Sequence, residues 1–119
     1  MDHEIGEHHL IEFVGCPAEK LKYKSLIEPV LMEAVHRSGA ESIGQLSHQF
    51  KPFGVTCMVL IAESHFSLHT WPEKGYAAMD IFTCGEMDSE AAIAYVAKHL
   101  EAESYAKKTI PRIAEGVTA

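Results

Sequence analysis

The sequence predicts an α+β fold, a two-layer α/β sandwich in which helices cover one face of a mostly antiparallel sheet. Several short segments alternate between apolar and polar residues, as half-buried strands do. Two longer segments carry an apolar stripe at helical spacing. Their order along the chain is β-α-β-β-β-β-α-β, which points to an α+β arrangement. A length of 119 residues fits a single domain, 1–119.

Each predicted element has a local reason. Strands are predicted at 8–14, 42–50, 55–62, 65–71 and 76–84. The segment 55–62 is apolar on both faces and rich in β-branched residues, so we expect a central strand that is covered on both sides. A helix is predicted over 25–38, where Ser25 and Glu28 have capping-box spacing.

The second half of the chain should close the fold. A second helix is predicted over 89–106, with Asp88 as its N-cap. Because of Pro111, the tail is predicted to form at most a short edge strand over 109–113. An antiparallel sheet with both helices on one side leaves its other face uncovered. A second subunit could cover that face.

The charge balance excludes several classes of partner. The chain has 17 acidic and 10 basic residues and a net charge of −7, so a nucleic-acid surface is not expected. No apolar run reaches the ~18 residues of a membrane span, and the N-terminus lacks the pattern of a secretion signal. We therefore predict a cytoplasmic protein that binds no membrane.

The three cysteines indicate neither a disulfide framework nor a structural zinc site. Cys16, Cys57 and Cys84 are an odd number at wide spacing, and no CxxC pair occurs. Cys16 and Cys57 are interpreted as small buried apolar side chains.

The candidate chemistry follows the apolar run 55–62. Glu63, Ser64 and His65 form a polar cluster there, which is unusual directly after a buried strand. Ser64 could be an ordinary turn serine. A hydrolase triad of Ser64, His69 and an acid is weaker, since no G-x-S-x-G elbow frames the serine. A metal site built from Glu63, His65 and His69 needs helical spacing, so no metal is expected.

A family resemblance decides between these alternatives. The run Ala62–Glu73 (AESHFSLHTWPE) resembles the processing-site motif of the prokaryotic S-adenosylmethionine decarboxylases. Gly75–Gly85 (GYAAMDIFTCG) resembles the same family, as do the stretches Phe50–Thr56 and Gly6–Cys16. Together they cover most of the first 90 or so residues.

The resemblance implies a proenzyme that cuts itself. The Ser64 hydroxyl would attack the carbonyl of Glu63, and β-elimination would split the chain into a β chain, 1–63, and an α chain, 64–119. The residue left at position 64 would become a covalent pyruvoyl group, the expected cofactor. This chemistry needs an aligned serine, a base and a donor for the tetrahedral intermediate.

The resemblance also implies roles for five other side chains. His69 matches the processing histidine, and Thr56 matches a position whose hydroxyl helps processing. Cys84 matches the proton donor that acts after CO2 leaves, when the pyruvoyl carbonyl has formed a Schiff base with the substrate amine. Phe50 would stack on the adenine and Glu73 would accept hydrogen bonds from the ribose.

The expected substrate is S-adenosylmethionine, and the expected product is an aminopropyl donor for spermidine biosynthesis. The family's sheet-on-sheet homodimer, with active sites drawn from both protomers, fits the uncovered face. Two alternatives stay open: a pyruvoyl-dependent decarboxylase of ornithine or arginine on the same fold, and a non-catalytic regulatory homologue.

Overall fold

Six antiparallel strands form one sheet in the described part of the chain, and two helices pack on one of its faces. The structure is a computed structural model that describes residues 4–62, 64–84 and 86–113. The elements are β1 (Glu4–Val14), α1 (Lys24–Arg37), β2 (Ser42–Gln49), β3 (Val55–Ile61), β4 (Ser64–Trp71), β5 (Tyr76–Thr83), α2 (Ser89–His99) and β6 (Ser104–Ile113). Across the sheet the order is β2-β3-β4-β5-β1-β6. The predicted fold class and element order are confirmed.

The core lies between the sheet and the helices. Period-two alternation brings one side of each central strand under α1 and α2. The buried core residues include Phe13 and Ile11 of β1, Val59 of β3, Phe66 and Leu68 of β4, Ile81 of β5, Leu31 of α1 and Ile93 of α2. Cys16 and Cys57 are buried as well. Burial raises the pKa of both thiols, which supports their interpretation as apolar side chains.

The prediction that β3 is covered on both faces is wrong for the single chain. Val55, Cys57, Val59 and Ile61 are buried, but Met58 and Leu60 are 41% and 53% exposed. On the neighbouring strand β2, Leu46 is opposite Met58 and is 78% exposed. We call this side of the sheet, opposite the helices, the open face. Its apolar centre is unusual for a surface that meets water.

Two details near the helices also differ from the predictions, and one agrees with them. The N-cap of α1 is Tyr23, without a side-chain capping bond, so the Ser25–Glu28 box does not form. Instead, the Lys24 N–H donates to Gln49 Oε1 at 2.7 Å, which satisfies an orphan helix donor from β2. The predicted cap of α2 is confirmed, since Asp88 accepts a hydrogen bond from the Ala91 N–H.

The second difference is at the C-terminal end, where α2 stops at His99 instead of residue 106. Glu101, with a φ of 53°, turns the chain, and the residues that follow join β6. This strand is ten residues long, not the short segment expected from Pro111. An edge strand tolerates proline because alternate N–H groups have no neighbouring strand to bond. No helix in the described ranges is long and apolar enough to cross a membrane.

His9 links β1 to this edge strand and should make stability depend on pH. The His9 ring is 6% exposed, and its Nδ1 lies 2.8 Å from Thr109 Oγ1. Burial lowers the pKa of His9 below its ordinary value of 6.5, and the nearby Lys107 charge lowers it further. His9 therefore binds a proton less readily in the folded protein than in the unfolded chain.

We expect this histidine to contribute a loss of stability as the pH falls below 6.5, because protonation there favours the unfolded chain. Above that pH the ring is neutral in both states and contributes no slope. His9→Gln, which can keep a hydrogen bond to Thr109, should lose less stability on acidification than the native sequence. Urea unfolding at about pH 7.5 and 5.5 measures the difference; equal losses in the two proteins would contradict the assignment.

Candidate active site

Ser64 begins β4, directly after the turn from β3. It pairs with Ile61 across that turn, so only residues 62 and 63 connect the two strands. Ser64 Oγ lies 3.4 Å from Cys84 Sγ and accepts a hydrogen bond from the Cys84 N–H at 3.3 Å. The structure thus brings together two residues that the sequence separates by twenty positions. Glu63 lies outside the described residues.

Space is available beside this serine. Ser64 lines a cavity of about 170 Å³ together with Ile61, Thr83 and Met87. Cys84 is exposed and follows β5 directly. A small group attached at position 64 would therefore have a thiol as its neighbour and room around it. Ser64 and Cys84 form the first part of the candidate site.

The second part lies at the other end of β4. A cleft of about 260 Å³ opens there, lined by Phe50, Phe53, Gly54, Thr56, His69, Thr70, Trp71 and Glu73. Thr56 and His69 are opposite each other in the β3–β4 register, and Thr56 Oγ1 lies 3.0 Å from His69 Nδ1. Phe50 is 47% exposed, so much of its ring is accessible to a ligand. We call this the aromatic cleft.

Buried hydrogen bonds hold the wall of the aromatic cleft. Gln49 Nε2 donates to the carbonyls of Lys22 and Gly54 at 2.9 and 3.0 Å. Thr70 Oγ1 donates to the Leu21 carbonyl at 2.7 Å. Gly54 adopts a φ of 115°, which a side chain would strain. Sequence reasoning missed Gln49 and Thr70, and their only signal was adjacency to Phe50 and Trp71.

Tyr76 packs against Trp71 of the cleft and is hydrogen-bonded to a carboxylate. Tyr76 donates to Glu12 Oε1 at 2.6 Å, and its ring centroid lies 5.3 Å from that of Trp71. The hydrogen bond to Glu12, together with burial, raises the pKa of Tyr76 to about 12. This tyrosine therefore stays neutral at physiological pH and fixes the packing behind Trp71.

The two parts of the site do not meet within one chain. Ser64 and His69 are five residues apart in the same extended strand, which separates them by roughly 16 Å. They also differ in parity along β4, which assigns His69 to the open face and Ser64 to the other; at the end of the strand, however, Ser64 Oγ reaches Cys84, which alternates with Phe82 of the open face. The structure therefore groups Ser64 with Cys84, and groups Phe50, Thr56 and Glu73 with His69. It keeps these two groups apart.

Among the described residues, no group of three or more His, Cys, Asp or Glu side chains could hold a metal ion. His65 and His69 lie on the same face of β4 but four residues apart in an extended strand. That spacing separates their backbones by roughly 13 Å, too far for one ion.

Comparison with known proteins gives consistent matches over nearly the whole chain. A family model described as S-adenosylmethionine decarboxylase matches residues 7–113. An S-adenosylmethionine decarboxylase proenzyme from Caldicellulosiruptor saccharolyticus is 41% identical over 111 residues, covering 92% of this chain and 90% of the relative. A protein of the same name from Methanococcus maripaludis is 45% identical over 101 residues, covering 84% and 83%.

Two solved structures share the fold. The adenosylmethionine decarboxylase of Aquifex aeolicus superposes with a TM-score of 0.85 at 33% identity and covers 98% of both chains. The Trypanosoma brucei AdoMetDC monomer superposes with a TM-score of 0.66 at 16% identity, covering 85% of this chain and 44% of that one. At that identity the second match shows the fold alone.

Proposed function

The chain belongs to the S-adenosylmethionine decarboxylase family, and on this premise we propose that it decarboxylates S-adenosylmethionine after converting its own Ser64 into a pyruvoyl group. One observation carries the proposal: Ser64 Oγ and Cys84 Sγ lie 3.4 Å apart at the turn between β3 and β4. The residue whose α-carbon would become the pyruvoyl carbonyl and the thiol that would give a proton to the decarboxylated product belong next to each other.

Self-cleavage requires no second reactant except water. The Ser64 hydroxyl attacks the carbonyl of Glu63, and the amide nitrogen departs, so the peptide becomes an ester. A base then removes the α-proton of residue 64, and the ester breaks to release Glu63 as a carboxylate. The remaining dehydroalanine takes up water and loses ammonia, which leaves the pyruvoyl group at the start of the α chain.

The surroundings of Ser64 fit such a group. The cavity of about 170 Å³ beside it has room for a small planar substituent, and the Cys84 thiol lies 3.4 Å from Ser64 Oγ. When formed, the pyruvoyl group supplies an electron-withdrawing carbonyl that condenses with the substrate amine. Cys84 would hold the proton that replaces the lost carboxylate, since a thiol can act as a general acid.

The aromatic cleft fits the adenosyl part of the substrate. Phe50 presents an accessible ring face to the cleft, and the exposed Glu73 supplies carboxylate oxygens there. An adenine ring stacks on an aromatic face, and ribose hydroxyls donate to a carboxylate. Ornithine and arginine have neither group, so the cleft favours S-adenosylmethionine over both.

A homodimer would join the two parts of the site. The open face of each sheet has an apolar centre at Leu46, Met58 and Leu60, which a second copy can bury. A two-fold axis through the middle of the paired faces would place the Ser64 end of one β4 near the cleft end of the other. In this arrangement Ser64 and Cys84 act with Phe50 and Glu73 of the partner subunit.

The same arrangement bears on processing. His69 and Thr56 of the partner subunit would lie beside the Ser64 bond to be cut, with Thr56 holding the His69 ring through its hydroxyl. We place the enzyme in the cytoplasm, where its product would serve as the aminopropyl donor of spermidine biosynthesis.

Mass spectrometry of the purified protein under denaturing conditions tests the proposed function. We expect two fragments that meet between Glu63 and Ser64, with a carbonyl on the second that reacts with hydrazine. Ser64→Ala should remain one chain because it lacks the nucleophile, whereas Ser67→Ala, another β4 serine, should be cut. CO2 release should be seen with S-adenosylmethionine and not with ornithine or arginine. An uncut native chain, or release from either amino acid alone, would refute the proposal.

The contact between Thr56 and His69 predicts a second result. Thr56→Val keeps the shape of the side chain but removes the oxygen that lies against His69 Nδ1. Since one such hydrogen bond is worth ~1.5 kcal/mol, cleavage should slow on the order of tenfold. Thr56→Ser keeps the hydroxyl and should be cut at close to the native rate. Time courses on denaturing gels measure both; equal rates for the valine and serine variants would remove Thr56 from the processing machinery.

The shared site predicts complementation between two inactive proteins. Cys84→Ala and Phe50→Ala should each be cut and each release little CO2. Mixed dimers have one doubly damaged site and one intact site, so random exchange should restore about a quarter of the native activity. If Cys84 and Phe50 acted within one protomer, no intact site would form and the mixture would stay inactive.

A further inference from the structure

His8 carries a buried polar atom that has no hydrogen-bond partner among the described residues. The atom is Nε2 of its imidazole. The nearest carboxylate oxygen, Asp80 Oδ1, lies 3.9 Å away, beyond hydrogen-bonding distance. The other oxygen of Asp80 already accepts from Ser67 Oγ at 3.3 Å. A buried nitrogen without a partner destabilises the fold, and such atoms are rare in native proteins.

The position of His8 places this nitrogen beside the Ser64 end of the site. His8 and His65 are both opposite Phe82, on the two strands that flank β5. The three rings form a triangle on the open face, with centroids 5.9 Å apart for His8 and Phe82, 6.0 Å for His65 and Phe82, and 6.3 Å for the two histidines. His65 follows Ser64, and Cys84 lies two residues beyond Phe82.

Close packing of β1 fixes where His8 lies. A Cβ at Gly6 would come within 2.4 Å of the Thr83 carbonyl oxygen, so only glycine allows β1 to approach the end of β5 this closely. His8 follows two residues later on the same face of the strand. The register therefore holds the imidazole at the level of Phe82.

The local charge indicates which part of a ligand would contact the nitrogen. The Arg112 guanidinium lies 5.6 Å from the centre of the Phe82 ring, which packs against the His8 ring, so this end of the open face carries a cation as well as the Asp80 carboxylate. An imidazole N–H in a region that also holds a guanidinium can donate to a carboxylate. In an α-amino acid the carboxylate is attached to the same carbon as the amine, so an amine that reacts at residue 64 brings its carboxylate to this region.

We propose that His8 is a substrate-binding residue whose Nε2 hydrogen-bonds the α-carboxylate of the substrate and orients it for loss. The assignment rests on the proposed function, because it takes the substrate amine to react at residue 64. Fixing the carboxylate determines which bond at the α-carbon is aligned for cleavage. The Nε2 atom would then lack a hydrogen bond in the free protein, which lowers its stability, and would gain one when the ligand binds.

Two variants of His8 test the assignment. His8→Phe keeps a ring of similar size and removes the nitrogen, and His8→Gln restores a donor close to the position of Nε2. Both should be cut between Glu63 and Ser64. His8→Phe should reduce kcat/KM for S-adenosylmethionine at least tenfold and His8→Gln should recover part of the loss. The inhibition constant of methylthioadenosine, which lacks the amino acid, should be the same in all three proteins.

Stability supplies a readout that does not depend on turnover. Because Nε2 has no bond to lose among the described residues, the melting temperature of His8→Phe should equal or exceed the native value. A lower melting temperature, or a weaker dimer, would overturn the assignment by showing that the nitrogen is paired within the protein. A changed methylthioadenosine constant would also overturn it. A native protein that is cut but inactive on S-adenosylmethionine would overturn the proposed function and this assignment together.

Discussion

The antiparallel pairing of β3 with β4 is the constraint on which the rest of the site depends. Only two residues join the strands, so the register follows from the turn. It places Ser64 at the turn, opposite Ile61, and His69 opposite Thr56. A slip of one residue would turn Phe66 and Leu68 out of the core and would separate Thr56 from His69. The buried face of β4 therefore protects the positions of side chains that are not themselves buried.

Much of the fold could be predicted because period-two alternation records which face of a strand is buried. Phe66 and Leu68 follow this alternation, and both are buried in the core. The end of α2 was missed, because residues 100–106 continue an apolar pattern that fits either a helix or an edge strand. The exposure of Met58 was missed for a related reason. An apolar pattern indicates that a face is buried, but it does not show whether the same chain or a partner subunit buries it.

The candidate site was predicted as a set of residues and not as an arrangement. The motif from Glu63 to Glu73 is continuous in sequence, which suggests proximity between Ser64 and His69. An extended strand removes that proximity, since it advances roughly 3.3 Å per residue. The contact between Ser64 and Cys84 needed the structure, because it depends on how β4 pairs with β5. Gln49 was missed because its role is to bond the carbonyls of Lys22 and Gly54, and no motif records such contacts.

The strand order determines whether the two pieces would stay together after a cut in the backbone. A cut between residues 63 and 64 leaves β1, β2 and β3 in one piece and β4, β5 and β6 in the other. In the sheet, however, β1 lies between β5 and β6, so each piece is held inside the other by hydrogen-bonded ladders. The two pieces could not part without dismantling the sheet at three strand boundaries. The peptide bond between residues 63 and 64 is therefore not needed to keep the sheet intact. After a cut, the hydrogen bonds between strands would still hold the two pieces together.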